Sequence, residues 1–210
     1  MRNLRLVLTA AACSLALACA TVHPWPAQGV LSAAGKDGPG RLLFEELTVR
    51  FASEGGEPVA YERRVRQVLI EGPRTKYLAD DNVGYDRTFT SILDFRARAR
   101  LPDGKERSWG QSDAQDSPAF GGSILYSDNR SLVLDLPELP AGTVVEHVVE
   151  TKTRSPQHFL FTAVFERTIP ADAVSLEVEA PAGWKVEWVH EKNGATLDDK
   201  PRIATTDLPR

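Results

Sequence analysis

The 210-residue sequence is 42% apolar and 26% charged, enough for one domain with a core of its own. A net charge of −4, spread along the chain, excludes the basic surface that nucleic-acid binding needs. Both cysteines, Cys13 and Cys19, fall near the N-terminus, so the body offers no disulfide, thiolate metal site or cysteine nucleophile.

Residues 1–19 have the form of an export signal. "MRNLR" is basic, "LVLTAAACSLALA" is apolar but too short to span a membrane as a mature helix, and small residues crowd its end. "ALAC", ending at Cys19, resembles a bacterial lipobox, with Ala16 where leucine is commonest. On that reading Cys19 is lipidated and becomes the first residue of the mature protein. Ordinary signal cleavage after Ala18 or Ala20 is the alternative, since "ALA" and "ACA" both fit the small-x-small rule. The lipoprotein reading is preferred because the cysteine closes the apolar run. Ala20 follows it where an aspartate would signal inner-membrane retention. The expected location is the outer membrane, facing the periplasm, with a soluble periplasmic or secreted protein as the alternative. Residues 20–40, rich in Pro, Gly and Ala, are expected to form a flexible tether in which His23 and Trp25 look incidental.

From residue 41 to 210 the dominant period is two, the mark of strands with one buried face. "LLFEELTVRF" places Leu43, Leu47, Val49 and Phe51 on one face, with Glu45 as the exception. "EGGEP" turns the chain into "VAYERRVRQVLI", whose apolar face changes parity near Val68 as a bulge would make it. "PRTKYLADDN" has room for a turn or two of helix. "LDFRARARL" alternates Leu93, Phe95, Ala97, Ala99 and Leu101 against Asp94, Arg96, Arg98 and Arg100, and "PDGK" closes it as a hairpin turn. "KERSWGQSDAQDSPAFGGS" reads as the longest loop. Strands are expected again at "SLVLDL", "TVVEHVVETKT", "HFLFTAVFERTI", "VSLEVEAP" and "GWKVEWVHEK". The fold class is all-β, an antiparallel β-sandwich with a long polar loop and little helix.

Several of these pieces, in this order, carry a resemblance: "VRQVLI", "FRARARLPDGK", "ILYSDNRSLVLDLPELPAGTVVEH", "FLFTAVFERTIP" and "VSLEVEAPAGWKVEW". The "Y-S-D-x-R" knot before a "P-x-L-x-x-G-x-x-x-E" corner resembles the domain of unknown function DUF3857, found N-terminal to transglutaminase-like domains in exported bacterial proteins. The resemblance covers most of Leu42 to Pro209. It implies a β-sandwich ahead of a papain-like domain with Cys, His and Asp. That family's catalytic residues have no matching positions here, so the chain is expected to be a stand-alone form or part of a longer enzyme.

No residue set reads as a catalytic apparatus, and no cofactor or metal is expected. His147, His158 and His190 lack a nucleophile elbow and a zinc spacing. Asp80, Asp81, Asn82 and Asp86 supply oxygens but lack the EF-hand order. Trp184 and Trp188, two apart on one strand, read as core, whereas Trp109 in the long loop is a candidate contact for a partner or ligand. Asp128 and Arg130 are the other candidates, with a charge-assisted lock inside the bend as the preferred role. The expected function is a non-catalytic envelope module, lipid-anchored at Cys19, that binds or positions a transglutaminase-like protein, another protein or a wall polymer. The alternative is an accessory or remnant domain of a transglutaminase-like cysteine enzyme encoded elsewhere.

Overall fold

The structure, a computed structural model, describes residues 23–26, 38–72, 75–119, 128–154, 169–181, 184 and, for the backbone, 202–208. The expected export signal with Cys19, Tyr126 of the knot, residues 158–168 of the expected strand and residues 185–192 with Trp188 and His190 lie outside the described residues.

Among the described residues, ten strands form two sheets. They are β1 (Gly40–Glu54), β2 (Glu57–Ile70), β3 (Asp81–Asp86), β4 (Thr90–Arg100), β5 (Glu106–Trp109), β6 (Gln115–Pro118), β7 (Asn129–Leu134), β8 (Val144–Arg154), β9 (Ala171–Glu179) and β10 (Arg202–Leu208). A long sheet runs β10-β9-β1-β2-β8-β4-β5, and a short one runs β3-β7-β6. The all-β fold is as the period-two pattern requires. One pairing departs from the antiparallel expectation: β1 and β9 run parallel. A single helical turn, α1 (Lys76–Ala79), joins β2 to β3.

The short sheet covers the inner face of the long one. Leu132, Leu134 and Leu136 pack there with Phe95, Ala97, Ala99, Val68, Val145 and Val149 in one core cluster. Two hairpins form where the glycines predict them. Gly55 and Gly56 take φ of 59° and 88° between β1 and β2, as a two-residue primed turn requires. Gly104 takes φ of 83° between β4 and β5. The "PELPAG" corner docks on the end of β2, where the Gly142 N–H donates to Ile70 O at 2.7 Å and Leu139 is buried.

Two register shifts correct the sequence reading. The bulge expected on β2 near Val68 lies on its partner: Leu42 pairs with Val68 and Phe44 with Gln67, leaving Leu43 as the extra residue of β1. Leu43 therefore leaves the inner row of Leu47, Val49 and Phe51 and packs on the outer face with Leu69 and Val144. β2 only seems to change parity because Gln67 to Ile70 are buried on both faces. The second shift places Leu93 as the extra residue of β4, between the Ile92–Thr151 and Asp94–Glu150 pairs. Leu93 is 50% exposed, and Ile92 takes the core-facing place expected for it.

The long polar loop is also corrected. It contains β5, a 3-10 turn at Gln111–Asp113 and β6. Short strands of mostly polar, solvent-facing residues carry no apolar alternation, so the pattern had nothing to register. "DNVGYD", in which a glycine and two acids interrupt the apolar residues, likewise forms a strand, β3.

Candidate functional site

The short sheet places Asp128 and Arg130 at two separate seams. Asp128 accepts from the Arg87 guanidinium at 3.0 Å and from the Thr88 hydroxyl at 2.6 Å, clamping β7 to the turn after β3. These donors hold its carboxyl below the usual range. Arg130 Nε donates to Asp116 at 2.8 Å, and the Tyr85 hydroxyl donates to the same carboxylate at 3.0 Å, joining β6, β7 and β3. The two side chains thus lock other strands instead of each other.

Between the sheets sits a buried polar centre. Asp81, at the start of β3, is 5% exposed and takes Arg64 at 2.9 Å, Arg66 at 3.5 Å and the Asn82 N–H at 2.9 Å. Burial alone would raise its carboxyl, but the Arg66 and Arg64 guanidiniums and the Asn82 N–H outweigh it and hold the group below the ordinary range. His147, 1% exposed on β8, lies with Nδ1 at 3.7 Å from Asp81 Oδ2, beyond hydrogen-bond reach. Among the described residues neither of its ring nitrogens finds a hydrogen-bond partner. Burial, with Arg66 nearby, pushes the imidazole down to about 3, so it is neutral at neutral pH. Among the described residues both side chains are closed off from solvent.

The outer face of the long sheet carries the third arrangement. Gln67, Glu146 and Arg98 stand in one row across β2, β8 and β4. Arg98 takes the Glu146 carboxylate with Nε at 2.7 Å and Nη2 at 3.1 Å, and Gln67 Nε2 donates to it at 2.7 Å. Over this row lies the segment His23–Pro26. The Trp25 ring sits 4.1 Å from the Arg98 guanidinium, and its indole N–H donates to Glu106 at 2.7 Å. Arg98 Nη2 also donates to the His23 carbonyl. The His23 ring stands 4.9 Å from that of Phe44, with Nε2 3.3 Å from Glu46 Oε2. His23 and Trp25 therefore have definite contacts where the sequence reading saw incidental residues. The overlooked signal is Glu146 itself: a carboxylate inside "TVVEHVVE", a run buried on both faces, requires a cation beside it.

Trp109 pairs with Ala97 at the edge of the long sheet and packs half-buried against the main core. Trp184, expected as core, is 38% exposed, its ring 6.2 Å from that of Phe51. A shallow cleft of about 300 Å³, lined by Glu71, Thr75, Glu138 and Leu139 among others, opens beside the "PELPAG" corner. Burial there raises the Glu71 carboxyl. Among the described residues, no three of His, Cys, Asp and Glu are grouped to hold a metal ion.

Comparison with known proteins gives a family and a fold. The family described as "Domain of Unknown Function with solved-structure structure (DUF3857)" matches residues 56–207. A solved structure from Parabacteroides distasonis ATCC 8503, described as a "putative protease", superposes with a TM-score of 0.64 at 12% identity. The match covers 81% of this chain and 36% of that one, so this chain spans about a third of its length; at that identity the likeness shows the fold alone. No curated protein matches the chain.

Proposed function

The chain belongs to the DUF3857 family, and on that premise we propose that it is a non-catalytic binding and positioning module of the cell envelope. In this reading Cys19 carries the lipid anchor, and the β-sandwich holds a protein or wall-polymer partner near the membrane. The observation that carries the proposal is the recurrence of the fold as about a third of a longer chain, as a module beside other domains would recur. The ionisable groups support it too. Asp81, Glu146, Asp116 and Asp128 are each committed to guanidinium partners that join strands, which suits scaffolding more than proton transfer.

A second reading, accessory domain of a transglutaminase-like cysteine enzyme supplied by another chain, is favoured by the description of the P. distasonis protein as a "putative protease". One experiment separates the two. The chain from Thr21 onward is immobilised, exposed to cross-linked envelope extract, and its retained partners are identified. A partner with a Cys-His-Asp transglutaminase-like domain supports the accessory reading, and another protein or a glycan supports the first. Retention of nothing above a scrambled-fold control contradicts both. For the anchor, globomycin should cause precursor to accumulate; a Cys19→Ser protein that stays membrane-bound and labels with palmitate would contradict lipidation at Cys19.

A further inference from the structure

The outer face of the long sheet is shaped around a short proline-flanked tryptophan segment. The bulge at Leu43 turns two successive apolar side chains, Leu43 and Phe44, toward this face. Leu43, Leu69 and Val144, at 9%, 0% and 1% exposure, form the slot against which Trp25 packs. Arg98 covers the ring, and Glu106 accepts the indole N–H at 2.7 Å. The preceding carbonyls are also taken, that of His23 by Arg98 and that of Pro24 by Gln67 Nε2 at 3.4 Å. Gln67 and Glu146, 2% and 3% exposed, fix the Arg98 guanidinium from below.

These parts are the ones a peptide site needs: one pocket for an anchoring side chain, donors for the main chain around it, and a rim acceptor that reads the indole. A leucine or phenylalanine would fill the slot and leave Glu106 without its donor. The prolines on either side preset the backbone and bring no N–H that would need a partner.

We propose that this face is a recognition site for proline-flanked tryptophan peptides, occupied in cis by His23–Pro26 and open to such a peptide from another protein when that segment lifts away. The proposal deepens the binding-module reading, on which its biological partner rests, by naming the partner's chemistry. Among the described residues the segment is held by noncovalent contacts, and one of its main-chain hydrogen bonds, from Gln67 Nε2 to the Pro24 carbonyl, is long at 3.4 Å. It competes with an incoming peptide through its high effective concentration, so vacating the slot should expose the intrinsic affinity.

The test uses the full chain carrying Trp25→Ala and a fluorescent hexapeptide VHPWPA, the sequence of residues 22–27. Anisotropy should show saturable binding to Trp25→Ala, weaker by about tenfold or more to the wild-type chain, where the slot is filled. Binding should be lost when the peptide's tryptophan becomes alanine and weakened when Glu106→Ala is added to the protein. Equal, unsaturable binding to both proteins overturns the proposal. Should Trp25→Ala fail to fold, the wild-type chain is titrated with millimolar peptide, and the Trp25 indole resonance should move to its solvent-exposed position. An unmoved resonance overturns it. Concentration-dependent dimerisation of the wild type, abolished by Trp25→Ala, would identify a second copy as the occupant and also overturn it. Loss of peptide binding alongside retained envelope partners removes this site and leaves the module reading in place.

Discussion

Arg98 grips Glu146 with two nitrogens, at 2.7 and 3.1 Å, while the carboxylate is buried to 3% exposure. A buried carboxylate of this kind is tolerable only with its cation in place. Arg98→Met should therefore lower the unfolding free energy by about 3–5 kcal/mol, because it leaves an unpaired buried charge. Arg98→Met with Glu146→Leu should recover most of that loss. Urea denaturation of the three proteins checks this, and a double variant no better than the single one would contradict it.

Acid should weaken the fold through His147. Its folded value is near 3 against an ordinary 6.5, so below pH 6.5 the unfolded chain takes up a proton that the folded chain refuses. The stability it contributes is full above pH 6.5 and falls toward pH 3, by at most about 1.4 kcal/mol per pH unit. Asp81 adds a further loss only below its ordinary 3.8, as pH falls through its lowered folded value. Glu62 and Glu71, raised by burial, oppose the trend near the carboxylate range. His147→Leu should flatten the slope between pH 6.5 and 4.5; an unchanged slope would assign it to other groups.

Asp128 and Arg130 should act independently. Asp128→Ala opens the seam to Arg87 and Thr88, and Arg130→Ala opens the seam to Asp116. Each should lower the melting temperature modestly, and the double variant should show the sum. A double variant no worse than either single one would mean that the two residues form one lock.

The bulge at Leu93 predicts a contrast within β4. Leu93→Ser should change stability by less than about 0.5 kcal/mol, since the side chain is half exposed. Phe95→Ala, two residues on and 1% exposed, should cost about 3–5 kcal/mol. Comparable costs at the two positions would contradict the register.

The sequence made the strands legible wherever one face is apolar and the other charged. Phe95, Ala97 and Ala99 against Arg96, Arg98 and Arg100 is the clearest case, and the glycine turns at Gly55–Gly56 and Gly104 carried their own geometry. The bulges at Leu43 and Leu93 were not legible in position, because an extra residue declares itself only against a partner strand. β5 and β6 escaped because mostly polar edge strands have no alternation to read. Asp128 and Arg130 were recognised as a knot, but their partners Arg87 and Asp116 lie 41 and 14 residues away. The seat of Trp25 was hidden for the same reason: Glu106 is 81 residues distant, and only the pairing of β4 with β5 brings it to the slot.

The seat of Trp25 on the outer face of the long sheet is the contact on which the proposed peptide site depends. Nuclear Overhauser contacts between the Trp25 ring and the methyl groups of Leu43, Leu69 and Val144 measure this directly. The structure predicts contacts with this cluster, with an indole N–H shifted by its bond to Glu106. A Trp25 ring without those contacts, its indole resonance at the position of a solvated tryptophan, would contradict the account.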